Sequence, residues 1–231
     1  MDLSNEHTNN YKLVLNFDLD ETLFELNNNI GGQSKLSKSA EIDLSKSVEG
    51  VLHNQAMITK ENFGEVKIAQ VSAIARKEYT ELFKKIAEIN KLRPGSIIVN
   101  IITRSNYTKN NIDEIFSKFF GHVDITLYRN IHDLEPNYRT RLEKRDLILR
   151  DTQNYYPGIK RNKICLIDDS KAHCQLTQDY GFTAIHMPTN PATRSGKKYS
   201  DFKESNFKQL HSLVDEVFTF VRAELGDVPL Q

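Results

Sequence analysis

Five short apolar runs punctuate the chain: Tyr11 to Phe17, Ile97 to Ile102, Val123 to Tyr128, Lys163 to Ile167 and Thr183 to Met187. Most are near-continuous in aliphatic residues rather than alternating, the pattern of strands buried on both faces. Between them the apolar positions recur at helical spacing. From Lys77 to Leu92, Leu82, Phe83, Ile86 and Ile89 make a stripe that Pro94-Gly95 ends. From Lys109 to Phe120, Ile112, Ile115, Phe116 and Phe119 make another that stops at Gly121. Phe202 to Leu225 carries Phe207, Leu210, Leu213, Val214, Val217, Phe218 and Val221 at the same spacing, which predicts a closing amphipathic helix packed on the domain. The alternation predicts an α/β fold: a Rossmann-like parallel sheet of about five strands with helices on both faces. In such sheets ligands lie outside the carboxyl ends of the strands, so chemistry is to be sought just after each apolar run.

Two stretches break the alternation. Leu26 to Ser47 is rich in Asn, Ser, Lys and Gly and reads as a loop or small insertion. Val51 to Ile74 holds two β-like stretches around Glu61 to Glu65, a hairpin placed to overhang a site. The expected organisation is a flexible N-terminus over 1–10, a single domain over 11–228, and a flap or small cap over 26–74 within it.

Charge and composition remove several classes. The 231 residues hold 31 Lys+Arg against 31 Asp+Glu, so no basic excess argues for nucleic acid or an anionic membrane surface. No apolar run is long enough to cross a bilayer, and Met1 to Asn10 is polar, without the basic flank and apolar core of a secretory signal. The expected address is cytoplasmic. Two cysteines make no disulfide framework, and Cys165, inside an apolar run, reads as a small hydrophobe. The seven histidines lack ligand spacing, which argues against zinc.

Three of the strand ends carry chemistry. The first run leads into Asp18-Leu19-Asp20-Glu21-Thr22, with two acids at i and i+2 projecting to one side. Such a pair serves as ligands for a hard cation, as a nucleophile with a general acid/base, or as a turn with solvated acids. The second run leads into Thr103-Arg104-Ser105-Asn106, a hydroxyl followed by a turn that opens a helix. That is the form of a phosphate cradle, although the same residue types also simply cap helices. The fourth run ends in Asp168-Asp169-Ser170, adjacent acids whose repulsion a cation such as Mg²⁺ would offset. Phe24, Tyr107, Tyr128 and Tyr138 lie near strand ends as rings on which a substrate could stack, with core burial the commoner fate. His173 and Cys174 either line the pocket's edge or belong to a helix after the acids.

With these residues in this order, the chain resembles the haloacid dehalogenase (HAD) superfamily. Asp18-Leu19-Asp20-Glu21-Thr22 matches the first family motif, Thr103 the second and Asp168-Asp169 the fourth. Lys144, opening the segment Lys144 to Arg150, fits the third best, with Arg145, Lys160 and Lys163 as rivals. The resemblance implies that Asp18 attacks phosphorus to form an aspartyl phosphate and that Asp20 protonates the leaving oxygen and later activates water. It implies Mg²⁺ held by Asp18, the carbonyl of Asp20 and Asp168, with Asp169 contacting it through water or orienting Lys144. Thr103, Arg104 and Lys144 would bind the phosphoryl group.

An acid at Asp20 sets the chain apart from the family's dehalogenases and transport ATPases, and the modest insertion sets it apart from large-capped mutases. Asp-Leu-Asp-Glu-Thr-Leu with a later Asp-Asp-Ser is similar to capless phosphoprotein phosphatases, those of the polymerase tail and the phosphotyrosine-active ones. The resemblance therefore implies a phosphorylated protein or peptide as substrate, while the charge balance and short apolar runs argue against a nucleic-acid or membrane partner. A small-metabolite phosphatase, a phosphotransferase to another alcohol, and an inactive binding module are the alternatives.

Overall fold

The computed structural model describes residues 12–27, 55–62, 65–104, 107, 109–131, 143–187 and 204–225. Its strands and helices, in chain order, are β1 (Leu13–Phe17), β2 (Phe24–Asn27), β3 (Gln55–Asn62), β4 (Glu65–Ala73), α1 (Arg76–Leu92), β5 (Ile97–Thr103), α2 (Lys109–Phe120), β6 (Ile125–Asn130), α3 (Lys144–Tyr155), β7 (Ile164–Asp168), α4 (Lys171–Gln178), β8 (Thr183–His186) and α5 (Glu204–Leu225). A five-stranded sheet runs in the order β6-β5-β1-β7-β8, parallel throughout. The expected α/β fold is thus present, and each predicted strand lies within two residues of its observed place. Thr103 is the last residue of β5 rather than the first beyond it, and Lys163 ends a short 3₁₀ turn before β7. The segment that Lys144 opens is a helix and runs past Arg150 to Tyr155.

Alternation along the strands sorts side chains into two layers. Leu13, Leu15 and Phe17 of β1 pack with α1, α2 and α5, through Tyr79, Leu82, Phe116, Leu210 and Val214 among others. Val14 of β1, Ile102 of β5 and Leu166 of β7 pack on the opposite face with Leu147 and Ile148 of α3 and Cys174 of α4. By the same alternation Asp18 and Asp168, the next even positions after Asn16 and Leu166, turn toward the α3 layer.

The α3 side of the sheet also holds a polar ladder. Asn16 and Asn100 are paired in register in the two central strands. Asn16 Nδ2 donates to the Cys165 carbonyl at 3.2 Å, Asn100 Nδ2 donates to Asn16 Oδ1 at 3.0 Å, and the Tyr156 hydroxyl donates to Asn100 Oδ1 at 3.1 Å. Buried amides are tolerated when their polar atoms are satisfied in this way. The ladder ties β5, β1 and β7 to the end of α3, fixing their register one step below Asp18. Asn90 of α1 clamps the start of β5 similarly, accepting from Ile97 N at 2.9 Å and donating to Ile97 O at 2.7 Å.

A second sheet, antiparallel in the order β2-β4-β3, follows the first strand. β3 and β4 pair antiparallel out to Asn62 and Glu65, the hairpin the sequence predicts around Glu61 to Glu65. The base is anchored by Phe24, whose ring lies 5.5 to 5.8 Å from those of Phe116, Phe119 and Phe120, and by Ile74 N donating to Leu23 O at 2.9 Å. The expected flexible N-terminus and most of the loop in 26–74 lie outside the described residues.

Asn100→Ala orphans Asn16 Oδ1 and the Tyr156 hydroxyl at once. We expect a loss of about 2–3 kcal/mol in urea unfolding at unchanged m-value, against about 1 kcal/mol for Tyr156→Phe.

Candidate active site

The carboxyl ends of β1 and β7 lie side by side, and Asp18 N donates to Ile167 O at 2.9 Å. Immediately beyond, the Leu19 carbonyl accepts from the amides of Thr22, Leu23 and Phe24 at 3.3, 2.9 and 2.9 Å, winding residues 19–24 into a tight loop. Glu21 sits in the left-handed region within it, at φ 61°, a conformation costing a non-glycine residue about 1 kcal/mol or more. Leu19 is buried in the core while Asp20 is half-buried on the loop, so the two acids are presented by different pieces of backbone.

Lys144 enters from the other layer. It is the first residue of α3, after Glu143, whose amide donates to Asp146 Oδ2 at 3.2 Å. Its ammonium, only 3% exposed, lies 2.6 Å from Asp18 Oδ1 and 2.6 Å from Asp168 Oδ2. The rival cations are engaged elsewhere or exposed. Arg145 pairs with Asp146 and stacks on Tyr180, its guanidinium carbon 4.6 Å from the ring centroid. Lys163 pairs with Glu216 at 2.5 Å, and Lys160 is exposed.

Asp168, fully buried, accepts from Ser170 N at 2.8 Å through its other oxygen. His173 stands 3.4 Å from that oxygen and 3.6 Å from Glu143, and Arg104 reaches the same Glu143 carboxylate at 3.8 Å. The backbone of the acid pair is held by β8: Met187 N donates to Asp168 O, and His186 Nε2 to Asp169 O, both at 2.8 Å. Carboxylate oxygens of Asp18, Asp168 and Asp169 all lie within 4.8 Å of one another. Hard oxygen donors at that spacing, carrying three formal negative charges around the Lys144 ammonium, fit a hard divalent cation.

Burial dominates the electrostatics. It pushes the Asp18 carboxyl up from its ordinary range to about 7; the charges of Asp168 and Asp169 push the same way, and Lys144 pulls it down. Burial acts on Asp168 too, but His173, Lys144 and the Ser170 amide outweigh it and hold that carboxyl below the ordinary range. Burial would discharge Lys144, and the two carboxylates more than offset it, raising its pKa. The Cys174 thiol is pushed up to about 12 and Cys165 further still, chiefly by burial, so neither has thiolate character.

Thr103 is buried at the end of β5, level with the loop that carries Asp20. Ser105 and Asn106, expected to complete its cradle, lie outside the described residues, as does Tyr138. The rings expected to stack on a substrate are otherwise occupied. Phe24 is core, and Tyr107 is 3% exposed. The Tyr107 hydroxyl donates to Asp20 Oδ1 at 2.6 Å, and its carbonyl accepts from the hydroxyl of Tyr128 on β6. Burial first, then the Asp20 charge, raises the Tyr107 pKa, keeping the phenol a donor. Nothing in the sequence pairs Tyr107 with Asp20 or brings Glu143 beside His173; an aromatic near a strand end and an acid before Lys144 are the only signals.

No family model matches the sequence, and no curated protein does. Among solved structures, the chain is similar to the N-terminal part of a Bacteroides fragilis protein, BF1531, which contains a phosphatase domain and is complexed with Mg. Identity is 16% over 92% of this chain, with a TM-score of 0.42, and the match spans 42% of that chain's length. A HAD family enzyme of Bacteroides thetaiotaomicron is similar both as a magnesium complex and with magnesium and inorganic phosphate. The first shares 15% identity over 81% of this chain at a TM-score of 0.39, and the second 14% over 84% at 0.37, each covering 100% of that enzyme.

Because the Asp18 carboxyl titrates higher in the folded chain than the ordinary 3.8, folding takes up a proton between those values. Stability is therefore lost as pH rises from about 4 to about 7. Asp168, shifted the other way, acts below that window. In the metal-free protein we expect Asp18→Asn to remove this slope. Its melting temperature should exceed the wild type's at pH 8 and converge with it near pH 4.

Proposed function

We propose that the protein is a Mg²⁺-dependent phosphomonoester hydrolase working through an aspartyl phosphate on Asp18. The observation that carries this reading is the meeting of Asp18, Asp168 and Lys144, at 2.6 Å contacts, beside Asp169 at the carboxyl edge of the parallel sheet. Around it stand a hydroxyl at Thr103 and a second acid at Asp20, which supply the other groups that phosphoryl transfer to a carboxylate requires.

Asp18 lies where a carboxylate oxygen can attack phosphorus, with Lys144 holding its charge and orientation. Lys144 and Thr103 bind the non-bridging oxygens, with Arg104 at the rim. As the Asp18 O–P bond forms and the ester P–O bond breaks, Asp20 gives its proton to the leaving oxygen. In the second half-reaction Asp20 takes a proton from the attacking water, whose new P–O bond releases Asp18. Mg²⁺, held by Asp18, the Asp20 carbonyl and Asp168 with Asp169 assisting, would supply the positive charge that lets an anionic nucleophile meet an anionic ester.

A phosphorylated protein or peptide is the substrate class this reading favours, including phosphotyrosine, on the resemblance of the Asp18-to-Leu23 and Asp168-to-Ser170 segments to phosphoprotein phosphatases. The sheet of β2, β3 and β4 serves as flap or small cap to the domain. No helix among the described residues is long and apolar enough to cross a membrane; a cytoplasmic address is a separate part of this proposal.

We expect release of phosphate from an aryl phosphate and from phosphotyrosine and phosphoserine peptides to require Mg²⁺ and to stop with EDTA. Asp18→Asn should reduce it to background, and Asp20→Asn and Lys144→Met should each cost about 100-fold or more in kcat. Mg²⁺ should raise the melting temperature of the wild type but not of Asp168→Asn. A folded wild type that binds Mg²⁺ and releases phosphate from none of these substrates would overturn the reading.

A further inference from the structure

We infer that Tyr107 is a positioning residue for Asp20, holding one carboxylate oxygen so that the proton Asp20 exchanges with substrate and water sits on the other. The inference rests on the phosphatase reading above and assigns a role that this reading leaves empty. Asp20 is half-buried on the loop beyond β1, where its backbone bridges to that of Phe24. Its carboxylate is met from across the site by the Tyr107 phenol, at 2.6 Å from Oδ1.

Tyr107 is itself immobilised. It is buried, and the hydroxyl of Tyr128 on β6 bonds its backbone carbonyl. A ring this enclosed offers no face to a substrate, so its hydroxyl is the part that reaches the site. An oxygen that already accepts from a phenol is the poorer place for a proton, because protonation takes up one of its lone pairs and removes the charge that strengthens the phenol's bond. The proton that Asp20 carries is thereby favoured on Oδ2. In the first half-reaction it passes from Oδ2 to the leaving oxygen as the ester P–O bond breaks and the Asp18–phosphorus bond forms. In the second, a water proton returns to Oδ2 as the water oxygen bonds phosphorus and Asp18 leaves. Tyr107 keeps its own proton throughout.

This role has a signature that packing alone lacks. An alkoxide leaving group needs the proton and a nitrophenolate does not, so loss of the phenol should matter only where Asp20 transfers a proton. The test is single-turnover phosphorylation of Tyr107→Phe and wild type, with Mg²⁺, by a phosphoserine peptide and by 4-nitrophenyl phosphate. We expect about a 10- to 100-fold slower step with the phosphoserine ester and less than about a 3-fold change with the nitrophenyl ester, at nearly unchanged KM. If the wild type takes only aryl esters, the contrast moves to the two steps: phosphorylation of Asp18 is kept and hydrolysis of the phosphoenzyme slows by the same factor. Equal losses on both, or none, overturn the inference.

Should Tyr107→Phe melt well below the wild type, Tyr128→Phe takes its place. It leaves the Tyr107 phenol intact and loosens its anchor, and the same selectivity at smaller size is expected; equal losses or none again count against the role. A wild type that is active, and silent as Asp18→Asn, keeps the phosphatase reading whatever Tyr107 shows. A wild type inert toward both esters overturns that reading and this inference together.

Discussion

Lys144 brings one positive charge to two carboxylates in a buried site, and that imbalance governs the structure around it. If Asp18 and Asp168 are both ionised, the trio keeps a net negative charge, which a low-dielectric interior tolerates badly. The fold resolves it unevenly. Asp168 is steadied by the Ser170 amide and His173 as well as by Lys144 and stays charged. Asp18 shares the same ammonium with fewer partners, and burial leaves it more readily protonated. The asymmetry gives each acid a character suited to its place: one a stable anchor for positive charge, the other a group whose charge depends on what arrives.

Strand alternation and helix placement build that meeting point. Two carboxylates at the ends of adjacent parallel strands share a face because each continues the even-numbered side of its strand, and α3 lies along that face with Lys144 at its first turn. The polar ladder of Asn16, Asn100 and Tyr156 lies just beneath. A slip of one residue in β1 would turn Asp18 to the opposite layer. The buried amides, which bond well in only one register, guard against that slip.

Much of this was legible in the sequence because it depends on local pattern. Apolar runs gave the five strands to within two residues, and the acids after Phe17 and Ile167 stood out because charges seldom follow buried strands without a reason. Lys144 could be picked out only as the best fit to what the family resemblance implies, with Arg145, Lys160 and Lys163 as rivals, and its contact with Asp18 could not be read at all. What stayed hidden are the links between distant segments. Tyr107 meets Asp20 across 87 positions, and Glu143, His173 and Arg104 gather from three elements. No periodicity encodes such contacts, since they follow from how strands and helices are stacked rather than from what each segment does alone. Asn90 shows the same on a smaller scale: it lies beside an apolar helical stripe, yet its amide serves the edge of β5.

The central position of β1 has a further consequence, for the order in which the molecule can come into being. Its side-chain bond to β7 spans 149 residues, and its pairing with β5 bridges the whole inserted sheet. Contacts of such separation close late, because the chain must lose much of its freedom before they form. During synthesis Asp18 emerges well before Lys144 and Asp168 and waits for both segments before they can flank it. A fragment lacking α3 and β7 would therefore display Asp18 without its surroundings, and the buried cluster would assemble in one late, cooperative event.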